Sequence, residues 1–160
     1  MDRLTHLDSA GQVHMVDISD KPITRRVAIA EGEIQMQPNT LEAIRAGQVE
    51  KGEALAVARL AAIEGAKAAS SIIPLCHPIP LDGVDVEIEV IEKLPGYRLR
   101  VRASAEWRTG VEMEALSGVV AGLLSLYDMC KAMDRGMTLG PIRLREKRGG
   151  RSGNWHRESK

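Results

Sequence analysis

Two stretches of strict alternation stand out along the chain. Val84, Val86, Ile88 and Val90 alternate with Asp85, Glu87 and Glu89, and Tyr97, Leu99, Val101 and Ala103 alternate with Arg98, Arg100 and Arg102. A period of two predicts strands, and Pro95-Gly96 marks the turn between them. Placing Glu89 opposite Arg98, Glu87 opposite Arg100 and Asp85 opposite Arg102 sets opposite charges across the ladder. The same register sets Ile88 on Leu99 and Val86 on Val101. Both faces therefore agree on one antiparallel hairpin, and its six charges read as structural.

Elsewhere the spacing changes to three and four. Leu55, Ala58, Ala62, Ala66 and Ala69 predict a helix over about 52–70 with a narrow stripe of small residues, able to lie close to its neighbour. Val111, Ala115, Val119, Leu123, Leu126 and Cys130 predict a second long helix ending near Met133, with Thr109 and Glu112 as a capping box. Arg26 to Met36 reads as a strand with Ala28, Ala30, Gly32, Ile34 and Met36 on one face. A short helix follows it, started at Asn39 with Glu42 and ended at Gly47. Residues 72–80 hold three prolines and cannot be helical; a packed linker is the commoner role for such a loop, yet loops carry function. Ile142 to Leu144 reads as a short last strand. The order strand, helices, two strands, helix, strand predicts an α+β ferredoxin-like sandwich, an antiparallel sheet with helices packed on one face. One domain is expected over 1–160, with 1–24 an N-terminal arm and 146–160 a flexible basic tail.

Composition narrows the function. The chain has 160 residues, no Phe and only 2% aromatics, too few for the stacking platforms that read RNA or single strands. No run of 18 apolar residues occurs, so no transmembrane helix is expected. Two cysteines and no apolar leader point to the cytoplasm. Net charge is zero but uneven: from Pro141 onward seven Lys/Arg face two Glu, so this end carries +5 and residues 1–140 carry −5. A basic, glycine-containing end suggests an anionic partner; on charge alone a solvated terminus is the simpler reading.

Candidate chemistry is sparse when read residue by residue. Cys76 and His77 are adjacent with no second pair at ligand spacing, so no metal is expected. No phosphate loop or dinucleotide fingerprint occurs, so no cofactor is expected. Asp128 and Lys131 share one helix face. They read either as a surface ion pair worth under ~1 kcal/mol or, within the apolar run 123–133, as a lysine of lowered pKa held by its Asp. Glu112, Glu114, Lys51, Lys67 and His77 are each most simply solvated, capping or packed.

Read as strings, three segments carry more. Ile73-Pro74-Leu75-Cys76-His77-Pro78, Thr109-Gly110-Val111-Glu112-Met113-Glu114-Ala115-Leu116 and Tyr127-Asp128-Met129-Cys130-Lys131-Ala132 resemble the signatures of the cyclic pyranopterin monophosphate synthase family, molybdenum cofactor biosynthesis protein C. Leu4-Thr5-His6, His14 to Asp17, Lys51-Gly52, Gly140-Pro141 and Lys147 to Gly153 match as well. The resemblance implies a hexamer, a trimer of dimers. It implies an enzyme that converts a cyclised dihydro-GTP, supplied by a radical enzyme of the preceding step, to cyclic pyranopterin monophosphate with loss of diphosphate. Acid/base and electrostatic chemistry without a redox cofactor is implied. Carried over, Asp128, Lys131 and Lys51 are catalytic. Leu75, Cys76, His77, Met113, Glu114, Glu112, Lys67 and Lys147 bind substrate, and Arg26 joins them as a weaker candidate. The chain departs from the pattern at Trp107-Arg108, where the family has Gly-Lys, and at Arg151, where it has lysine. A ferredoxin-like module that holds a nucleotide without turning it over is the alternative reading.

Geometry adds one expectation. Glu114 and Asp128 are 14 residues apart on one helix, roughly 21 Å at 1.5 Å per residue. One compact centre cannot take both from one copy. Antiparallel copies about a twofold axis would bring opposite ends together, with His77 and Glu114 of one subunit facing Asp128 and Lys131 of the other.

Overall fold

The computed structural model describes residues 6–158; Leu4 and Thr5 of the first matched string, and Lys160 of the tail, lie outside them. The chain forms β1 (Thr24–Gln35), α1 (Pro38–Arg45), α2 (Ala54–Lys67), α3 (Ala69–Ile72), β2 (Gly83–Ile91), β3 (Gly96–Trp107), α4 (Glu112–Cys130), β4 (Thr138–Arg148) and β5 (Trp155–His156). The sheet is antiparallel in the order β2-β3-β1-β4-β5. Its four long strands follow the ferredoxin-like order, as the sequence pattern predicts.

The β2–β3 register is the one the charges demand, with Glu89 opposite Arg98, Glu87 opposite Arg100 and Asp85 opposite Arg102. Arg100 and Arg102 reach their partners at 3.0 and 3.1 Å. On the same open face Glu31 is nearly enclosed, with Arg143 Nε and Nη2 each 3.0 Å from its Oε1. The other face carries the core: Ala28, Ala30 and Ile34 of β1 and Leu99, Val101 and Ala103 of β3 are fully buried under α4. Every residue of the α4 stripe, Val111, Ala115, Val119, Leu123, Leu126 and Cys130, is at most 1% exposed. α4 is long and apolar enough by composition to span a bilayer, but here it is the central core helix. α2 packs against it through Ala58, Ala62, Gly65 and Ala66. A Cβ on Gly118 would lie 2.9 Å from the Ala62 carbonyl oxygen, so the two helices approach at backbone distance.

Four local expectations need correction. The helix over 52–70 breaks at Ala68 into α2 and α3. Asn39 lies inside α1, not at its cap. The cap is supplied from afar: Asp134 Oδ2 accepts from the Gln37 N–H at 2.8 Å, with Pro38 at the first helical position. Thr109 does not cap α4, which begins at Glu112 with Val111 before it and no side-chain cap. The Glu112 carboxylate folds back over Gly110, into the space a Cβ there would take. The last strand extends far beyond 142–144. β4 runs through the bulge between Leu144 and Glu146 to Arg148, and Trp155–His156 pair with Lys147 and Glu146. Residues 146–148 and 155–156 of the expected tail are therefore strand, joined by the glycine-rich turn 149–154. In the arm, Leu7 bridges to Val13.

Candidate functional site

α4 carries functional groups at both ends. Its first turn and the loops beside it wall two adjoining cavities. One, roughly 480 Å³, is lined by Lys21, Arg26, Arg108, Lys147 and Arg151, with Glu112 the only acid among the described residues. Five cations against one carboxylate give an anion site without a helix-dipole argument. Two of these side chains are held in place as follows: Arg26 donates through Nε and Nη2 to the carbonyls of Trp107 and Arg108 at 3.3 and 3.2 Å, and Lys147 Nζ donates to Ser152 Oγ. Gly150, at φ +79°, allows the 149–154 turn to close on the Arg26 guanidinium; any Cβ there would collide with it.

The second cavity, roughly 510 Å³, is lined by Ile73, Leu75, Cys76, His77, Ile79 and Met113 with Val16 and Ile18 from the arm. It is mostly apolar with a few polar groups, the character of a small-molecule pocket. Beneath it Glu114 is 3% exposed. The Cys76 thiol lies 3.7 Å from Glu114 Oε1, while Oε2 has no hydrogen-bond partner. Burial pushes the Glu114 carboxyl above the usual glutamate range. Burial and then the nearby Glu114 push the Cys76 thiol up to about 11, so Cys76 stays a neutral donor. His77 and Asp17 face one further depression with Trp107.

The other end of α4 holds a second cluster. Asp128 Oδ1 is 2.6 Å from Lys131 Nζ and Oδ2 is 2.9 Å from Lys51 Nζ; Lys51 also donates to the Asp128 carbonyl at 3.1 Å. Hydrogen bonds from Lys131 and then Lys51 hold the Asp128 carboxyl down to about 2. Asp128 in turn raises the Lys131 ammonium above the usual lysine value. Of the two readings of the Asp128–Lys131 pair, the geometry favours the surface ion pair over a desolvated lysine: the Lys131 side chain is half exposed, and its partner stabilises the charge. Lys131 is therefore not poised as a free base. The cluster is a fixed arrangement of charge, open to solvent.

Of the residues named from sequence, Leu75, Cys76, His77, Met113 and Glu112 line the second cavity, Glu112 and Lys147 line the first, and Glu114 lies under them. Asp128, Lys131 and Lys51 form their own cluster roughly 21 Å away along the helix. Lys67 joins neither group: it pairs with Glu64 at 2.9 Å beside a separate depression lined by Ile79, Pro80 and Leu81. Lys21 was missed. It lies in the weakly patterned arm, where no periodicity singles it out.

Comparison with protein-family models matches residues 15–150 to the MoaC family. The match covers most of the chain, which therefore belongs to that family and to molybdenum cofactor biosynthesis. All three signature strings fall inside the matched span.

Proposed function

We propose that this member of the MoaC family is a lyase that converts 3',8-cyclo-7,8-dihydroguanosine 5'-triphosphate to cyclic pyranopterin monophosphate and diphosphate. The observation that carries the reading is the pair of joined cavities, one with five cations, the other apolar with His77 and Cys76 on its wall. They suit a ligand with a phosphate chain at one end and fused rings at the other. A triphosphate needs several cations, and charge growing on the departing diphosphate is met by groups already in place. The carboxyl of Glu114, neutral more readily than most, is a group able to give and take a proton during ring rearrangement, and His77 lines the same cavity wall.

The reading requires Asp128, Lys131 and Lys51 at the substrate, and one chain keeps them a helix length away. The working form in this proposal is a homo-hexamer, a trimer of dimers, with each site shared across a dimer interface. Support comes from the outward stripe of α4. Met113, Val120 and Leu124 are 37%, 40% and 55% exposed, at helical spacing with Asp128 and Lys131. A second copy laid antiparallel along that stripe covers the apolar residues and brings Asp128 of one chain to Met113 and Glu114 of the other. Both cysteines are free, in keeping with a cytoplasmic enzyme that takes its substrate from the radical enzyme of the preceding step. Incubating the protein with the cyclised dihydro-GTP should release diphosphate. Binding without release, with an active partner enzyme in the same assay, would favour the nucleotide-holding module instead.

A further inference from the structure

The two cavities share four wall residues, Lys21, Thr109, Gly110 and Glu112. Lys21 is the one cation among them; Arg26, Arg108, Lys147 and Arg151 line the anion side alone. Glu112 is the one acid on either wall among the described residues. The backbone of Lys21 is pinned from two directions: its N–H donates to the Ile18 carbonyl at 3.0 Å, and its carbonyl accepts from Arg108 Nε at 3.2 Å. The arm thus delivers one ammonium to the saddle between the cavities.

We propose that Lys21 is the cation at the reacting phosphorus. The inference rests on the reaction proposed above. A ligand with its phosphate chain in the cationic cavity and its rings in the other crosses the saddle at the group joining them, the α-phosphate. There a hydroxyl oxygen of the sugar-derived part forms a bond to the α-phosphorus, and the bond from that phosphorus to the β-phosphate oxygen breaks. Diphosphate leaves with the electron pair, and the hydroxyl proton passes to the Glu112 carboxylate. Lys21 meets the charge that grows on the α-phosphate and leaving oxygens. The four cations beyond it act mainly on charge that the β- and γ-phosphates carry already before the step, which sets affinity more than rate.

The test is the steady-state kinetics of diphosphate release by full-length Lys21→Met and Lys21→Arg beside wild type. Lys21→Met should lose ~100- to 1,000-fold in kcat, the size of one electrostatic donor. Its KM should change by less than about tenfold. Lys21→Arg, which keeps the charge, should recover part of the rate. A raised KM at unchanged kcat would make Lys21 one more affinity cation and overturn the assignment, as would unchanged kinetics. Should Lys21→Met fail to fold by circular dichroism, Lys21→Gln carries the same reading. A wild-type protein that releases no diphosphate overturns the underlying reaction as well, so the control separates the two failures.

Discussion

Gly65→Ala should destabilise the protein even though alanine is the better helix former. In α2, a Cβ at position 65 would collide with the Ala121 methyl and lie 2.8 Å from the Ser117 carbonyl oxygen of α4. Neither neighbour can rotate away, so the helices must part by roughly 1 Å to restore contacts of ~3.5–4.0 Å. Overpacking of this kind costs ~1–3 kcal/mol, and rigid neighbours put this site in the upper half of the range. The helix-propensity gain of ~1 kcal/mol offsets part of it. A net loss of ~1–2 kcal/mol lowers Tm by about 2–8 °C for a chain this long. α4 also carries Glu114 and Asp128 near its two ends, so the same displacement should slow diphosphate release, by up to ~100-fold for a shift near 1 Å. Thermal unfolding followed by far-ultraviolet circular dichroism, with the release assay alongside, measures both. A Tm at or above wild type would refute the account of close helix packing.

Asp128→Ala and Lys131→Ala should each remain folded, since both side chains are about half exposed, and each should lose at least ~100-fold in turnover; near-normal rates in both would remove the cluster from the chemistry. Glu114 gives a pH prediction. Its folded pKa is raised by burial, so the folded state favours the protonated acid, and stability is lost as pH rises from the ordinary glutamate value through the raised one. Glu114→Gln should therefore flatten the stability profile across that window and raise Tm at neutral pH, checked by melting curves between pH 4 and 8; an unchanged slope would contradict it.

What could be read from sequence was whatever repeats locally. The β2–β3 register followed from alternating charge because both faces of the hairpin vote for it, and the α4 stripe followed because six buried positions keep one period. Contacts made at long range were illegible. Asp134 caps α1 from 97 residues away, a partnership no spacing encodes. The Thr109–Glu112 capping box misled because residues 108–110 are drawn into the cavity wall and Glu112 folds over Gly110 instead. β4 was cut short because Gly140-Pro141 and the bulge after Leu144 interrupt its alternation. In the site, Asp128 and Lys131 were visible as an i,i+3 pair, whereas Lys51 reaches Asp128 across 77 residues and came only with the family resemblance. Lys21 owes its place to contacts with Ile18 and Arg108, and nothing in the arm's own pattern marks it.

The shared site at a dimer interface is tested most directly by subunit complementation. Lys131→Ala and His77→Ala proteins, each expected to be inactive alone, are mixed under conditions of demonstrated subunit exchange, and diphosphate release is measured. Random pairing makes half the dimers mixed, and each mixed dimer keeps one intact site of two, so activity should return to about a quarter of wild type. Persistent inactivity in the exchanged mixture would mean that each chain builds its own site, and would contradict the account.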